Sequence, residues 1–271
     1  MFVTERNPAF LHIFKQLRNN KQNVMKSGVL MKKRAILFLW IFLLCFPSQI
    51  FAEQGIPILV YHSIDEYKGT GQKELYVTPK NFEEQMRYLR NHGYTLLTFE
   101  QWENRKKVNK PIFITFDDGY KNNLQAFDIL RKLQTQRFKP AGTIFVISDF
   151  IGGVGRLTSA DLKMLANSGF SIQSHTATHP DLTKREKLEY ELKEAKEKIE
   201  NITGKPVLAL SYPYGNFNSI VVEEAKKYYQ FGLTTTPGPY KEQNIKNELY
   251  LLPRTYVKYS TTLDDFAKIV K

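Results

Sequence analysis

The chain has 271 residues, 42% of them hydrophobic and 13% aromatic, enough to bury one large core and too apolar for a disordered polyelectrolyte. Its net charge of +12 is uneven: residues 1–52 carry +7 and the rest only +5, so the body lacks the basic excess of a nucleic-acid groove. The only cysteine, Cys45, lies in an apolar run near the start, which removes disulfides, thiolate nucleophiles and cysteine-held zinc from the remainder.

Residues 1–52 read as a leader. "MKKR" (31–34) is a positive n-region, "AILFLWIFLLCF" (35–46) an apolar h-region, and "PSQIFA" ends on the small residue Ala52, a pattern of export with cleavage before Glu53. Twelve apolar residues fall short of the roughly 20 a membrane span needs, although Ile50 and Phe51 prolong the apolar character enough to leave an uncleaved anchor as the alternative. The thirty residues ahead of the n-region suggest that translation starts at Met25 or Met31.

From residue 56 strands and helices alternate. "IPILVYHSI" (56–64) is a strand, and Thr78-Pro79 caps and opens a helix that Gly93 stops. The strand "PIFITF" (111–116) precedes the helix "NNLQAFDILRKLQ", and the strand "AGTIFVIS" (141–148) precedes the capped helix "TSADLKMLANSG" (158–169). "FSIQSH" is a short strand, and "EKLEYELKEAKEKIENITG" (186–204) a long helix rich in opposite charges at helical spacing, whose run "KLEYELKEAKEKIE" (187–200) reads as a solvated face and not as an interaction tail. "PVLALSYPYG" (206–215), "SIVVEEAKKYYQ" (219–230), "FGLTTT" (231–236), "YLLPRTYV" (250–257) and the helix "TTLDDFAKIVK" complete the alternation. Such alternation predicts an α/β fold, a single distorted (β/α) barrel of about seven parallel strands over residues 53–271.

Chemistry in such folds sits at the carboxyl ends of strands, where His62, Asp117, Asp118, His175 and Tyr214 all fall. "TFDDGY" ends a buried strand on two adjacent carboxylates, and unpaired burial of either is costly. "SHTATH" sets His175 and His179 four apart, and with Asp118 these imidazoles make a good ligand set for a divalent metal. Alone, the histidine pair reads slightly better as exposed loop residues, and it is the combination with "TFDDGY" that strengthens the metal reading.

"TFDDGY", "SHTATH" and "SYPYG", in this order and at these separations, resemble the polysaccharide deacetylases with the NodB-homology domain, carbohydrate esterase family four. The resemblance implies Asp117 as base, Asp118, His175 and His179 as metal ligands, and the Tyr214 backbone N–H as an oxyanion donor. Bound Zn²⁺ can lower the pKa of water to about 7; Co²⁺, Ni²⁺, Mn²⁺ and Fe²⁺ suit the same donors. Gly119 is expected to let the chain turn sharply beneath the site.

Two positions depart from the family. Ser211 stands where the third motif usually begins with Arg, and Arg254 is the candidate replacement for tuning the base, a rim ion pair being the alternative. The family's late histidine is missing, since no His follows His179. His12 lies in the leader and His92 at a helix end, which leaves His62 as general acid, against a structural role. The early His and an Arg-less third motif resemble the branch that deacetylates poly-β-1,6-N-acetylglucosamine. Tyr61, Tyr120, Tyr212, Phe217 and Tyr240 are core residues by default, with a sugar-stacking platform as the alternative.

The resemblance implies a metal-dependent hydrolase that removes N-acetyl groups from a GlcNAc-containing polysaccharide (poly-β-1,6-GlcNAc, peptidoglycan or chitin-like). The alternatives are an O-acetyl esterase on xylan or a related glycan, a glycan-binding pseudoenzyme, and an iron oxygenase built on the same three ligands. The expected partner is the acetylated polysaccharide, with no nucleic acid and with membrane contact only through an uncleaved leader. The expected form is a secreted or cell-surface monomer.

Overall fold

The structure, a computed structural model, describes residues 55–271 together with Gln16; the leader readings, His12 and Cys45 lie outside the described residues. Strands β1 (Ile58–Tyr61), β2 (Ser63–Ile64), β3 (Tyr76–Val77), β4 (Thr95–Leu97), β5 (Pro111–Phe116), β6 (Gly142–Val146), β7 (Phe170–Ser174), β8 (Ala209–Ser211), β9 (Phe231–Leu233) and β10 (Thr255–Tyr256) alternate with helices. Seven strands run in the order β10-β1-β5-β6-β7-β8-β9, and β4 is an eighth that pairs with the first half of β5. Every ladder in the sheet is parallel. This is the expected distorted barrel.

Its closure is irregular. On one side Leu252 N–H donates to Gly232 O, Thr234 N–H to Leu252 O and Arg254 N–H to Thr236 O; on the other, Thr255 and Tyr256 pair with Leu59 and Val60. The predicted strand 250–257 is therefore regular only at Thr255–Tyr256, because its first half serves as this clasp. The strand predicted over 56–64 is likewise split into β1 and β2, with His62 between them.

Strand alternation sorts the two faces. Tyr61, Ile112, Ile114, Phe116, Ile144 and Ile172 point outward beneath the helices. Ile58, Phe113, Phe145, Phe231 and Leu233 fill the barrel interior together with Phe99 and Trp102. Aromatic contacts cement that layer, with Phe99 and Trp102 ring centroids 5.1 and 5.5 Å from Phe113. Above it the same inward-facing positions turn polar, with Thr115, Asp117, Ser211 and Arg254 all buried.

The helices are α1 (Pro79–Asn91), α2 (Asn123–Lys132), α3 (Ser159–Ala166), α4 (Ala195–Thr203), α5 (Ser219–Ala225) and α6 (Leu263–Ile269). Thr78 caps α1 as its sequence predicts, accepting from Asn81 N–H, and Thr158 and Asp161 form a capping box on α3. His92 caps the end of α1, its Nδ1 2.8 Å from Tyr88 O. No helix among the described residues is long and apolar enough to cross a membrane.

Candidate metal and catalytic site

The site assembles where β1, β5, β7 and β8 end. Asp117 and Asp118 follow β5, His175 follows β7, and His179 lies four residues further along that loop. Asp118 Oδ1 stands 3.6 Å from Nε2 of both His175 and His179. One ligand atom from each of the three residues lies within 4.8 Å of the others. Donors so spaced suit a small divalent ion, whose bonds to N and O run about 2.0–2.2 Å.

Neighbouring groups prepare these donors. His175 Nδ1 lies 2.8 Å from Ser211 O, and donating there fixes the tautomer and leaves the Nε2 lone pair facing Asp118. Burial, then the adjacent His175, lowers His179 to about 4, so its imidazole is neutral at pH 7. The donor set therefore fits a divalent cation: two imidazole nitrogens and one carboxylate oxygen.

Asp117 faces the barrel interior with a different set of partners. Its Oδ1 accepts from Arg254 Nη1 at 2.8 Å and its Oδ2 from Nη2 at 2.7 Å, a bidentate pair. Ser211 Oγ accepts from Arg254 Nη2 at 2.8 Å and donates to Asp117 Oδ2 at 3.1 Å. Arg254 is fully buried and also donates to Thr234 O and Thr115 Oγ1. Burial alone would raise the Asp117 carboxyl, but the Arg254 guanidinium and then His175 hold it well below the usual carboxylate range. Of the two readings of Arg254, the geometry is that of a buried partner of Asp117, not of a rim ion pair.

Backbone strain gathers here. Seven non-glycine residues among those described have positive φ, and four of them are Asp118 (73°), Thr176 (68°), His179 (62°) and Tyr214 (61°). Each such residue costs of order 1–3 kcal/mol, a cost commonly tolerated at functional sites. Gly119, at φ 64°, passes so close to β6 that a Cβ there would lie 3.0 Å from Val146 Cγ1, which accounts for the glycine after the two acids.

Tyr214 sits in the turn after β8, the residue 64% exposed and its ring 4.7 Å from the His179 ring. Its backbone N–H has no acceptor among the described residues. His62 is buried, stacks on Tyr256 at 5.5 Å, and has its carbonyl held by Asn123 Nδ2 at 2.6 Å. Burial lowers its pKa, opposed by the charges of Asp117 and Asp118. Of the candidate platform residues, Tyr61, Tyr212 and Tyr240 are core, while Tyr120 and Phe217 reach the surface.

One expectation is corrected. The run 187–200 is not a uniformly solvated face: Glu191 is buried and accepts from the loop that carries both histidines. Leu188, Leu192, Ala195 and Ile199 form a buried stripe at helical spacing, and Glu191 falls on that stripe. An acid on the apolar face was the available signal, masked by the charge pairs around it.

The family model for polysaccharide deacetylases matches residues 104–231. Among solved structures, BC0361, a polysaccharide deacetylase from Bacillus cereus, is 51% identical with a TM-score of 0.79, covering 80% of this chain and 69% of that one. YxkH of Bacillus subtilis is 35% identical over 192 residues, 68% of this chain and 65% of that protein. The peptidoglycan-N-acetylmuramic acid deacetylase PdaA of the same organism is 33% identical over 123 residues, 44% of this chain and 43% of that protein. The chain thus spans less than two thirds of the length of these curated relatives.

Proposed function

Because the chain belongs to the polysaccharide deacetylase family, we propose that it is a metal-dependent hydrolase removing N-acetyl groups from a GlcNAc-containing polysaccharide. One observation carries this reading: a ligand-spaced Asp118, His175 and His179 stand directly beside an Asp117 clamped by Arg254. Asp118, His175 and His179 would hold the ion, Zn²⁺ being the first choice for two imidazoles and a carboxylate with open positions. When bound, such an ion supplies Lewis-acid activation of water near neutral pH.

The chain's own groups do the rest. Asp117 Oδ2 lies 3.9 Å from His175 Nε2, beside the space the ligands enclose, and takes the proton of the attacking water. Arg254 and Ser211 fix the orientation of that carboxylate, which passes the proton on once the attack is made. The free Tyr214 N–H donates to the oxygen that gains charge as the acetyl carbon becomes tetrahedral; one such donor is commonly worth ~3 kcal/mol of barrier. His62, neutral at rest, takes up the proton that Asp117 received and gives it to the amine nitrogen as the C–N bond breaks, so that acetate and a free amine leave and His62 returns to neutral. Asn123 fixes the backbone from which it projects.

The leader, with its charged n-region and apolar h-region, supports export to the cell surface or beyond, with residues 53–271 acting there as a monomer. PdaA, a peptidoglycan deacetylase by name, keeps wall polymer among the substrates alongside poly-β-1,6-GlcNAc and chitin-like chains. Product analysis tests the reaction class. Acetate with an equal amount of new free amine from N-acetylglucosamine oligomers supports the proposal, whereas acetate from acetylated xylan alone would replace it with an O-acetyl esterase.

A further inference from the structure

Glu191 sits in a π-helical turn, Tyr190–Glu194, that runs into α4, and such turns often mark functional positions. Only 5% exposed, it has no cationic partner among the described residues. Placing a carboxylate there is costly unless hydrogen bonds offset the lost solvation. Those bonds all go to one loop: Oε2 accepts from Ala177 N–H at 3.0 Å and Thr178 N–H at 2.9 Å, and Oε1 from Thr178 Oγ1 at 2.6 Å.

The loop is the one between the two histidines, and its backbone can be accounted for group by group. Thr176 O and Ala177 O accept from Ser148 and Asp149 N–H, Thr176 N–H donates to Ser174 Oγ, and His179 N–H donates to Thr176 Oγ1. Among the described residues only Glu191 serves the N–H groups of Ala177 and Thr178. Thr176 and His179 on either side are held at positive φ, so the loop would relax if its middle were released. We infer that Glu191 is a positioning residue whose carboxylate holds Ala177 and Thr178 so that His175 and His179 keep ligand spacing from Asp118. The inference rests on the metal-binding reading of these three residues.

The test compares full-length wild type with Glu191→Ala, Glu191→Asp and Glu191→Gln. Each is stripped of metal and titrated with Zn²⁺ against a chromophoric chelator, with thermal unfolding of the metal-free proteins and acetate release alongside. Gln retains an oxygen that can accept both N–H groups and should bind within about threefold of wild type. Ala and Asp, which lack it or cannot reach, should bind 10–100-fold more weakly, the usual cost of losing support behind a ligand. Should the Ala variant fail to fold, Asp against Gln carries the comparison. Folded Asp and Ala variants with wild-type affinity and acetate release would overturn the inference alone. Gln falling as far as Ala would overturn it in favour of a charge effect. A wild-type chain that binds no Zn²⁺ would overturn both the inference and the metal-dependent reading beneath it.

Discussion

Replacing Arg254 by Met should expose how strongly the interior depends on the Arg254–Asp117 pair. Arg254 is 0% exposed and makes both ends of a bidentate bond to the carboxylate of Asp117, a residue itself only 2% exposed. Removing one member of a buried pair strands the other and costs about 3–5 kcal/mol, or ~6–20 °C of melting temperature for a domain of this size. The pH dependence should change sign as well. With Arg254 present, the depressed Asp117 carboxyl contributes stability that is complete above the unfolded value of about 3.9 and is lost as the pH falls through its lower native value. Without it, burial dominates and raises the native value above the unfolded one, so the variant should lose stability as the pH rises from about 4 toward neutrality. Denaturant unfolding of metal-free protein across that range is the assay, and Asp117→Asn in the Met background should recover much of the loss. A Met variant within about 1 kcal/mol of wild type, with an unchanged pH profile, would refute the reasoning.

Asp117→Asn alone should bind Zn²⁺ nearly as wild type while turnover falls 10²–10⁴-fold, the usual worth of a positioned base; loss of metal together with activity, seen by titration, would move Asp117 among the ligands. His62→Ala should depress amide hydrolysis far more than hydrolysis of an activated ester, whose leaving group needs little protonation, and equal losses in steady-state kinetics would count against its role as acid. His179, lowered to about 4 by burial and His175, takes up a proton on unfolding between its native value and the unfolded one near 6.5. Metal-free protein should therefore lose stability as the pH falls from about 6.5 toward 4, and a flat chemical-denaturation profile there would contradict the environment described for it.

Much of this was legible because its signals are local. Strand β5 appears as residues 111–116, as its apolar run predicts, and both threonine caps lie where the sequence puts them. The two acids after β5 and the paired histidines after β7 were legible because parallel strands all deliver their carboxyl ends to one rim. Three features were not, because each depends on distant parts of the chain. β4 is three residues long and exists only through pairing with the base of β5. Ser211, which looks like the mere loss of an arginine, bridges Arg254 and Asp117 from another strand. Glu191 reads as one more surface charge until its turn is seen against the histidine loop.

The most direct test of metal-dependent N-deacetylation uses the full-length chain, stripped of metal and then reloaded with Zn²⁺ or Co²⁺. Both acetate and free amine are assayed on β-1,6- and β-1,4-linked N-acetylglucosamine oligomers. Release of both products in equal amounts, absent from the stripped protein and restored by metal, is the result expected here, and the preferred linkage would identify the polymer. Undiminished release from the stripped protein, or none from either oligomer with metal bound, would contradict it.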